Sequence, residues 1–227
     1  MARILSIETS GPILSVAIAN NGSVVSERVC REPRMQASLT APLVKEVLDA
    51  CGLQVSDLDA VCVSKGPGSY TGLRVGVSTA KGLCFGASLP LLAIGTLDIL
   101  AATNLEPAAK PAFIVPMIDA RRMEVYTAVY SPAGERLTPV EAKIIDRDSF
   151  KEYLDKGSVL FIGDGAMKCK EVIDHPGAIF REAFPLASSM APLAEAAYNK
   201  KQFEDLAYFE PFYLKDFVAA LPHNKVF

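Results

Sequence analysis

The sequence has little of what metal sites are usually built from. Its two histidines, His175 and His223, lie far apart, and its five cysteines include no Cys-x-x-Cys pair. Neither residue type has the spacing of metal ligands, so we expect no bound metal. The odd number of cysteines, most of them inside apolar runs, is typical of buried free thiols.

Long apolar runs and clusters of positive charge are also missing. The longest uncharged run, residues 82–97, contains Pro90 and is shorter than the ~20 apolar residues that cross a bilayer. The apolar stretch at residues 4–7 is too short for the core of a secretory signal, so we expect a cytoplasmic protein with no membrane partner. The net charge is -3 and no run of cations is present, which argues against independent nucleic-acid binding.

The sequence does contain enough apolar material for a large core, with 50% apolar residues in a chain of 227. Strand-like and helix-like periodicities alternate in the order βββαβαβ, at residues 3–9, 13–19, 23–30, 36–51, 60–64, 70–87 and 91–94. The order recurs in the second half, at residues 112–118, 124–130, 140–145, 148–155 and 159–162. We therefore predict an α/β protein with two domains of similar plan.

The boundary between the two domains is predicted where helix breakers collect. Asn104, Pro107 and Pro111 lie in such a stretch, which places one domain at residues 1–103 and the other at 104–227. Two further helices, at residues 166–173 and 190–201, precede an extended aromatic tail. The last segment is expected to pack back on the first domain.

Two strand-to-turn junctions in the first half are candidate phosphate loops. One consists of Glu8, Thr9 and Ser10; the other runs from Gly66 through Gly68 to Ser69, at the start of the second helix. A helix N-terminus behind a glycine-rich loop offers free N–H groups to an anion. The alternative is a tight turn with Ser69 as the helix N-cap, because serine is strongly preferred at that position.

Five blocks spread over the chain together resemble one family. The blocks are Ile4–Ser10, Gly66–Gly76, Ala80–Leu83, Asp119–Tyr126 and Pro211–Lys215. This combination resembles the TsaB (YeaZ) family. The resemblance departs from the usual family pattern at Glu8, where aspartate is common, and at Lys215, where arginine is common, and both changes keep the charge.

The resemblance implies a fold, a function and partners. The fold is the duplicated βββαβα arrangement of actin-like ATPases and sugar kinases, which is ribonuclease H-like. The function is that of a non-catalytic dimerisation subunit in the complex that forms N6-threonylcarbamoyladenosine in tRNA, beside the anticodon. The partners are the catalytic subunit TsaD and the ATPase TsaE, with tRNA engaged only through the complex and a homodimer expected when the subunit is alone. No cofactor is expected to be tightly bound, although ATP or ADP could occupy the complex interface.

The resemblance also explains why we expect no catalysis by this chain. TsaD carries a His-x-x-x-His metal motif, and Thr96 and Leu100 occupy the two corresponding positions here. Leucine cannot ligate a metal, and a lone threonine hydroxyl is a poor ligand. A stand-alone kinase of the sugar or acyl type remains the main alternative, whereas a metallopeptidase is disfavoured because no His-Glu-x-x-His helix is present.

Charged residues between the β-like runs of the second half mark a candidate cleft. Asp119, Arg121 and Glu124 sit where an active cleft of this superfamily would lie, although a local ion-pair network that shapes the hairpin is the favoured alternative. Gly163 and Gly165 match the place of a second phosphate loop but carry no basic residue between them.

Two helices of the first half have wider apolar surfaces than one buried stripe needs. On the second helix, Leu73 and Val77 form the stripe expected to face the sheet, and the opposite stripe is also uncharged. We predict that the partner interface consists of residues from both helices, namely Leu39, Leu43, Val47, Val75, Thr79, Gly82 and Gly86. The alternative is that other helices of the same chain cover these surfaces.

Overall fold

The computed structural model describes residues 2–103 and 111–215. The domain boundary that we predicted falls at residues 104–110, outside the described residues, so the two domain spans stay predictions. His223 also lies outside them. Among the helices of the described part, none is long and apolar enough to span a bilayer.

The first half forms a five-stranded mixed sheet. Its elements are β1 (Arg3–Glu8), β2 (Leu14–Asn20), β3 (Ser23–Cys30), α1 (Gln36–Cys51), a 3-10 turn (Val55–Asp57), β4 (Ala60–Gly66), α2 (Tyr70–Ala87), β5 (Leu91–Gly95) and α3 (Thr96–Ala101). The strand order is β3-β2-β1-β4-β5, antiparallel up to β1 and parallel beyond it. Asn21 and Gly22 both have positive φ, as expected for a two-residue hairpin at an Asn-Gly step.

The second half repeats this plan. Its elements are β6 (Phe113–Asp119), β7 (Glu124–Thr127), β8 (Glu141–Ile144), α4 (Lys151–Leu154), β9 (Val159–Ile162), α5 (Ala166–Cys169), β10 (Ala178–Arg181) and α6 (Ala187–Asn199). The sheet order, β8-β7-β6-β9-β10, places the corresponding strands in the same positions as in the first sheet. The duplicated α/β fold is therefore confirmed. Sequence patterns missed α3 and β10, which span only six and four residues and show too little periodicity.

The chain returns to the first half earlier than expected. Helix α6 buries Met190, Ala194 and Ala197 against Ile4 and Cys62 of the first sheet. The other face of that sheet is covered by α1 and α2, through residues such as Val47 and Val77. The first sheet is thus enclosed on both faces, and one of its covering helices comes from the far end of the sequence.

The described part of the aromatic tail, up to residue 215, continues along the first half without forming a strand of its own. Glu204 donates its backbone N–H to Leu91 O at 2.9 Å, and Lys81 Nζ donates to Phe209 O at 3.2 Å. Further along, Phe212 N–H donates to Lys65 O at 2.7 Å. Residues 204–212 therefore run along the edge of the first sheet and lead into the space between the two halves.

Candidate interdomain cleft and helix face

A cleft of about 700 Å³ separates the two halves and is lined by five of the predicted site residues. Ser10, Gly68 and Ser69 line it from the first half, and Asp119 and Arg121 line it from the second. The segment from Phe212 to Lys215 also lines the cleft, so the tail reaches into the same space. Residues far apart in the sequence are therefore brought together as the resemblance implied.

The first candidate phosphate loop packs tightly against α2. Ser69 N–H donates to Ser10 O at 2.7 Å, and Thr9 Oγ1 donates to Gly72 O at 2.8 Å. A Cβ on Gly68 would lie 2.5 Å from Ser10 O, and one on Gly72 or Gly76 would collide with Thr9. These glycines therefore allow the chain's own loop to approach the helix, a role that requires no ligand.

Ser69 is the N-cap of α2. Its Oγ accepts a hydrogen bond from Gly72 N–H at 3.2 Å, which satisfies one of the free donors at the helix start. The N-cap interpretation of Ser69 is thus confirmed. Gly66 ends β4 next to this loop, with its Cα facing the Phe212 carbonyl of the tail.

The second candidate loop packs against β6 in a similar way. Gly163 has φ +138°, and a Cβ there would collide with Met117 O. A Cβ on Gly165 would lie 3.0 Å from Asp119 N, and between the two glycines Asp164 Oδ1 accepts from Asp119 N–H at 3.0 Å. Burial raises the pKa of the Asp164 carboxyl. The loop therefore serves to hold the end of β6, which places Asp119 at the cleft.

A lysine that the sequence patterns did not single out organises the hairpin after β6. Lys168 Nζ forms an ion pair with Asp119 and donates to Arg122 O and Glu124 O, both at 2.7 Å. Across the cleft, Lys215 pairs with Glu124. Asp119 and Glu124 are thus both ion-paired, as the favoured alternative held, but their partners come from distant elements, and the described residues show no ion pair of Arg121 with either carboxylate. The signal for Lys168 was its place in the first turn of the predicted helix after Gly165, where its side chain points back toward the loop.

The backbone of this hairpin is unusual at two successive arginines. Arg121 and Arg122 have φ values of 71° and 50°, in the left-handed region that residues other than glycine seldom adopt. Arg121 N–H donates to Asp119 Oδ1 at 2.8 Å, which stabilises the turn locally. Lys168 holds the carbonyl of Arg122 and so secures the same conformation from the other side.

Glu8 is a buried acid behind the first loop. The residue is 0% exposed, and its Oε1 accepts from Ser10 N–H at 2.6 Å. Burial raises the pKa of the Glu8 carboxyl to about 7, because desolvation disfavours the charged form more than nearby hydrogen bonds favour it. Glu8 therefore lies beneath the cleft and does not line it.

The C-terminal part of the outward face of α2 is uncharged and open, whereas Arg74 and Ser78 are exposed nearer its start. Adding a Cβ to Gly82 or Gly86 would meet nothing within 4 Å, and Phe85 is 82% exposed. Val75 and Thr79 are half-buried at the border of this face, and Thr79 Oγ1 donates to Val75 O at 2.8 Å. The predicted interface did not include Phe85, because the stripe chosen for it lay directly opposite the core-facing residues and Phe85 lies beside that stripe. We call Gly82, Phe85 and Gly86 the α2 face.

The prediction for α1 needs correction. Leu43 and Val47 are 8% and 0% exposed and lie in the core between α1 and the first sheet, so neither side chain reaches the surface. Leu39 is half-buried and packs on the same core. The broad apolar arc of α1 faces the sheet and α2 together, and it is therefore covered within the chain as the alternative held.

Helix α3 carries Thr96 and Leu100, the positions that the resemblance matched to a His-x-x-x-His motif. Thr96 and Leu100 are 1% and 0% exposed, and Leu100 packs in an apolar core that both halves share. Within residues 2–103 and 111–215, no three His, Cys, Asp or Glu side chains are grouped so that they could hold a metal ion.

Comparisons with known proteins place the chain in a family. The model of the family described as "TsaD: tRNA N6-adenosine threonylcarbamoyltransferase" matches residues 33–222. The chain is 30% identical to "tRNA threonylcarbamoyladenosine biosynthesis protein TsaB" of Escherichia coli over 229 aligned residues, covering 96% of each chain. It is 32% identical to the Bacillus subtilis protein of the same name, covering 75% of each chain.

Solved structures agree with this assignment. YeaZ from Pseudomonas aeruginosa superposes with a TM-score of 0.83 at 27% identity, over 94% of this chain and 100% of that one. A second Pseudomonas aeruginosa structure, described as similar to the peptidase YeaZ, gives a TM-score of 0.84 at 27% identity, over 95% and 100% of the two chains. Full-length similarity in both sequence and fold, together with the glycine-packed cleft, shows that the chain belongs to the TsaB (YeaZ) family.

Proposed function

We propose that this chain is a non-catalytic subunit of the machinery that forms threonylcarbamoyladenosine in tRNA, and that it pairs with a TsaD-like catalytic subunit. The observation that carries the non-catalytic role is the pairing of the two carboxylates predicted for the cleft, Asp119 and Glu124, with lysines of the same chain. Lys168 engages Asp119, and Lys215 engages Glu124. Phosphoryl transfer relies on carboxylates that hold Mg²⁺ against the phosphates, and here those groups are already neutralised.

The buried α3 helix supports the same role. Leu100 lies in the core and has no ligating atom, and Thr96 is equally buried. Restoring a metal site there would require two histidines in a position that is now fully packed. Transfer of the threonylcarbamoyl group is therefore assigned to the TsaD-like partner, in which this motif is intact.

The α2 face supports pairing through a helix. Gly82 and Gly86 leave the helix backbone accessible, and Phe85 projects beside them as a large exposed apolar side chain. A partner helix could approach closely over the glycines and bury the phenyl ring, which removes apolar surface from water. When the partner is absent, a second copy of this chain would use the same face. TsaE, ATP or ADP, and tRNA would be engaged through the assembled complex, in the cytoplasm.

Co-purification tests the pairing. The chain should be co-expressed with the TsaD-like protein of the same organism, with a tag on only one of them. We expect a stable complex with the natural chain and none with Gly82→Arg, because the cation would be desolvated against an apolar partner. Ala133→Arg, in an exposed loop of the second half, is the matched control and should co-purify normally. Unchanged recovery of Gly82→Arg would contradict the use of this face.

Reconstitution tests the division of labour. With threonylcarbamoyl adenylate as the donor, the purified chain alone should form no modified nucleoside in tRNA, whereas its addition to TsaD-like and TsaE-like subunits should permit it, as measured by mass spectrometry of digested tRNA. Product formed by the chain alone would refute the non-catalytic role. Calorimetric titration with ATP and Mg²⁺ tests the alternative that the chain is a kinase, since a kinase should bind the nucleotide at micromolar concentrations without partners.

A further inference from the structure

A second groove, of about 820 Å³, lies between the two halves beside the cleft already described. Its walls are β5, α6 and the connection from β7 to β8. Pro67 and Phe212 line both this groove and the interdomain cleft, so these two residues form the partition between them. A concavity of this size is in the range of small-molecule sites.

The lining of the second groove is mainly apolar. Ile94, Leu97 and Leu193 contribute aliphatic side chains from three different elements. Leu137 and Phe212 also line it, and they are 49% and 42% exposed. Large apolar side chains exposed inside a concave surface favour a ligand with an apolar body, because its binding removes their surface from water.

The charged groups of the second groove are predominantly positive. Lys65, Arg136 and Lys200 line it, against the single lining carboxylate of Asp98. Asp98 is already engaged, since Tyr130 OH donates to its Oδ1 at 2.7 Å. Lys65 has Glu204 at 3.7 Å.

Arg136 is engaged by a hydrogen bond with the Tyr130 side chain. Lys200 is exposed, and the described residues provide no carboxylate within ion-pair distance of its ammonium group. An ammonium without a counter-ion at the edge of an apolar concavity favours an anionic group on the ligand.

We infer that the second groove binds a small organic anion with an apolar body, its charged group beside Lys200 and its body against Leu193 and Leu137. The lining of the second groove differs from a nucleic-acid-binding surface. It is concave and mostly apolar, whereas nucleic-acid-binding surfaces present extended rows of cations. This site is independent of the proposed role in tRNA modification, since it shares no charged residue with the interdomain cleft.

Two fluorescent probes of the same shape test this site on the full-length chain. The first is 8-anilinonaphthalene-1-sulfonate, which is anionic, and the second is N-phenyl-1-naphthylamine, which is neutral. We expect saturable binding of the anionic probe, weakened roughly tenfold by Lys200→Glu and to a smaller extent by Lys200→Gln. The neutral probe should bind both variants as it binds the natural chain. Lys170→Glu, at an exposed lysine outside the groove, should change neither probe.

A steric variant locates the probes. Ala196 is exposed and lines the groove from α6, so Ala196→Trp should occupy part of the space and weaken binding of both probes, with a normal thermal melt. Anionic-probe binding that is unchanged by Ala196→Trp would place the probe elsewhere, for example on the α2 face, and would overturn the proposal. No binding to the natural chain, or equal losses for both probes with Lys200→Glu, would also overturn it.

Discussion

Tyr130 donates a hydrogen bond from its phenolic OH to Asp98 Oδ1 over 2.7 Å, and this bond joins the second half of the chain to α3 of the first. Tyr130 is 0% exposed, and burial together with the Asp98 carboxylate raises its pKa. The neutral phenol therefore remains a donor at every pH at which the protein is handled. The bond lies beside an apolar junction to which Leu97, Leu100 and Ile114 contribute.

Removal of this donor should weaken the junction. Tyr130→Phe is expected to lower the free energy of unfolding by about 2 kcal/mol, because a buried bond to a charged acceptor is lost and the Asp98 carboxylate is left short of a partner. Chemical unfolding measures the change. Tyr208→Phe, at a side chain that is 85% exposed, is the control and should have no effect. Equal stability of Tyr130→Phe and the natural chain would show that the bond contributes nothing.

Glu8 should make stability depend on pH. Its pKa rises from the usual 4.5 to about 7 in the folded chain, so the folded state holds a proton that the unfolded state has released between these values. Below pH 4.5 the ionisation of Glu8 does not lower the free energy of unfolding. Above pH 7 it lowers that free energy by its full amount, roughly 3 kcal/mol.

The test is the difference in unfolding free energy between Glu8→Gln and the natural chain, measured in urea at pH 5 and pH 8. Because glutamine cannot ionise, the variant should gain relative to the natural chain as the pH rises. Any fixed cost of the amide cancels between the two measurements. A difference that stays constant would mean that Glu8 titrates normally in the folded state.

Two glycines of the same helix should respond to alanine in opposite ways. Gly82→Ala should stabilise the isolated chain by about 1 kcal/mol, because the helix interior favours alanine and the new methyl group meets open space. Gly76→Ala should destabilise it, since its Cβ would collide with Thr9. Thermal melting of both variants checks the pair. Stabilisation by Gly76→Ala would show that the loop can shift away from the helix.

The same Gly82→Ala variant informs the proposed pairing. If a partner helix packs closely over the α2 face, the added methyl group should weaken binding to the TsaD-like subunit even as the isolated chain becomes more stable. Opposite changes in stability and in affinity would be difficult to explain by misfolding. Affinity that is unchanged or improved would indicate that no backbone approaches Gly82 in the complex.

Lys168 should stabilise the hairpin after β6. Lys168→Met removes the ion pair with Asp119 and two donors to backbone carbonyls, and should cost about 1–3 kcal/mol of unfolding free energy. A double-mutant cycle with Asp119→Asn isolates the ion pair, and we expect a coupling of about 1 kcal/mol because the pair is partly exposed. Zero coupling would mean that Lys168→Met costs the same in the natural chain as in the Asp119→Asn background. That result would assign the whole effect to the bonds with the two backbone carbonyls.

Much of the fold could be read from local patterns. The boundaries of α1 and α2 match the predicted residues, and the order of elements in the first half follows the predicted βββαβαβ pattern. The patterns failed for α3 and β10, whose short spans carry no distinguishable period. The helix predicted at residues 190–201 corresponds to α6, but its place on the first sheet depends on contacts with residues nearly 190 positions away, which local patterns do not show. The α1 surface was misjudged because a wide apolar arc looks the same whether a partner or the same chain covers it.

By itself, the sequence determined the family, the α/β class and the duplication, since these depend on motifs and periodicities within short windows. It also determined which residue types could meet in the cleft, including Asp119, Arg121 and Glu124. Only the tertiary structure decided what those residues do, because their partners, Lys168 and Lys215, are separated from them by roughly 40 to 90 positions. It also decided that the loop glycines admit the chain's own backbone and that Phe85 remains in water, since burial depends on the packing of all elements together.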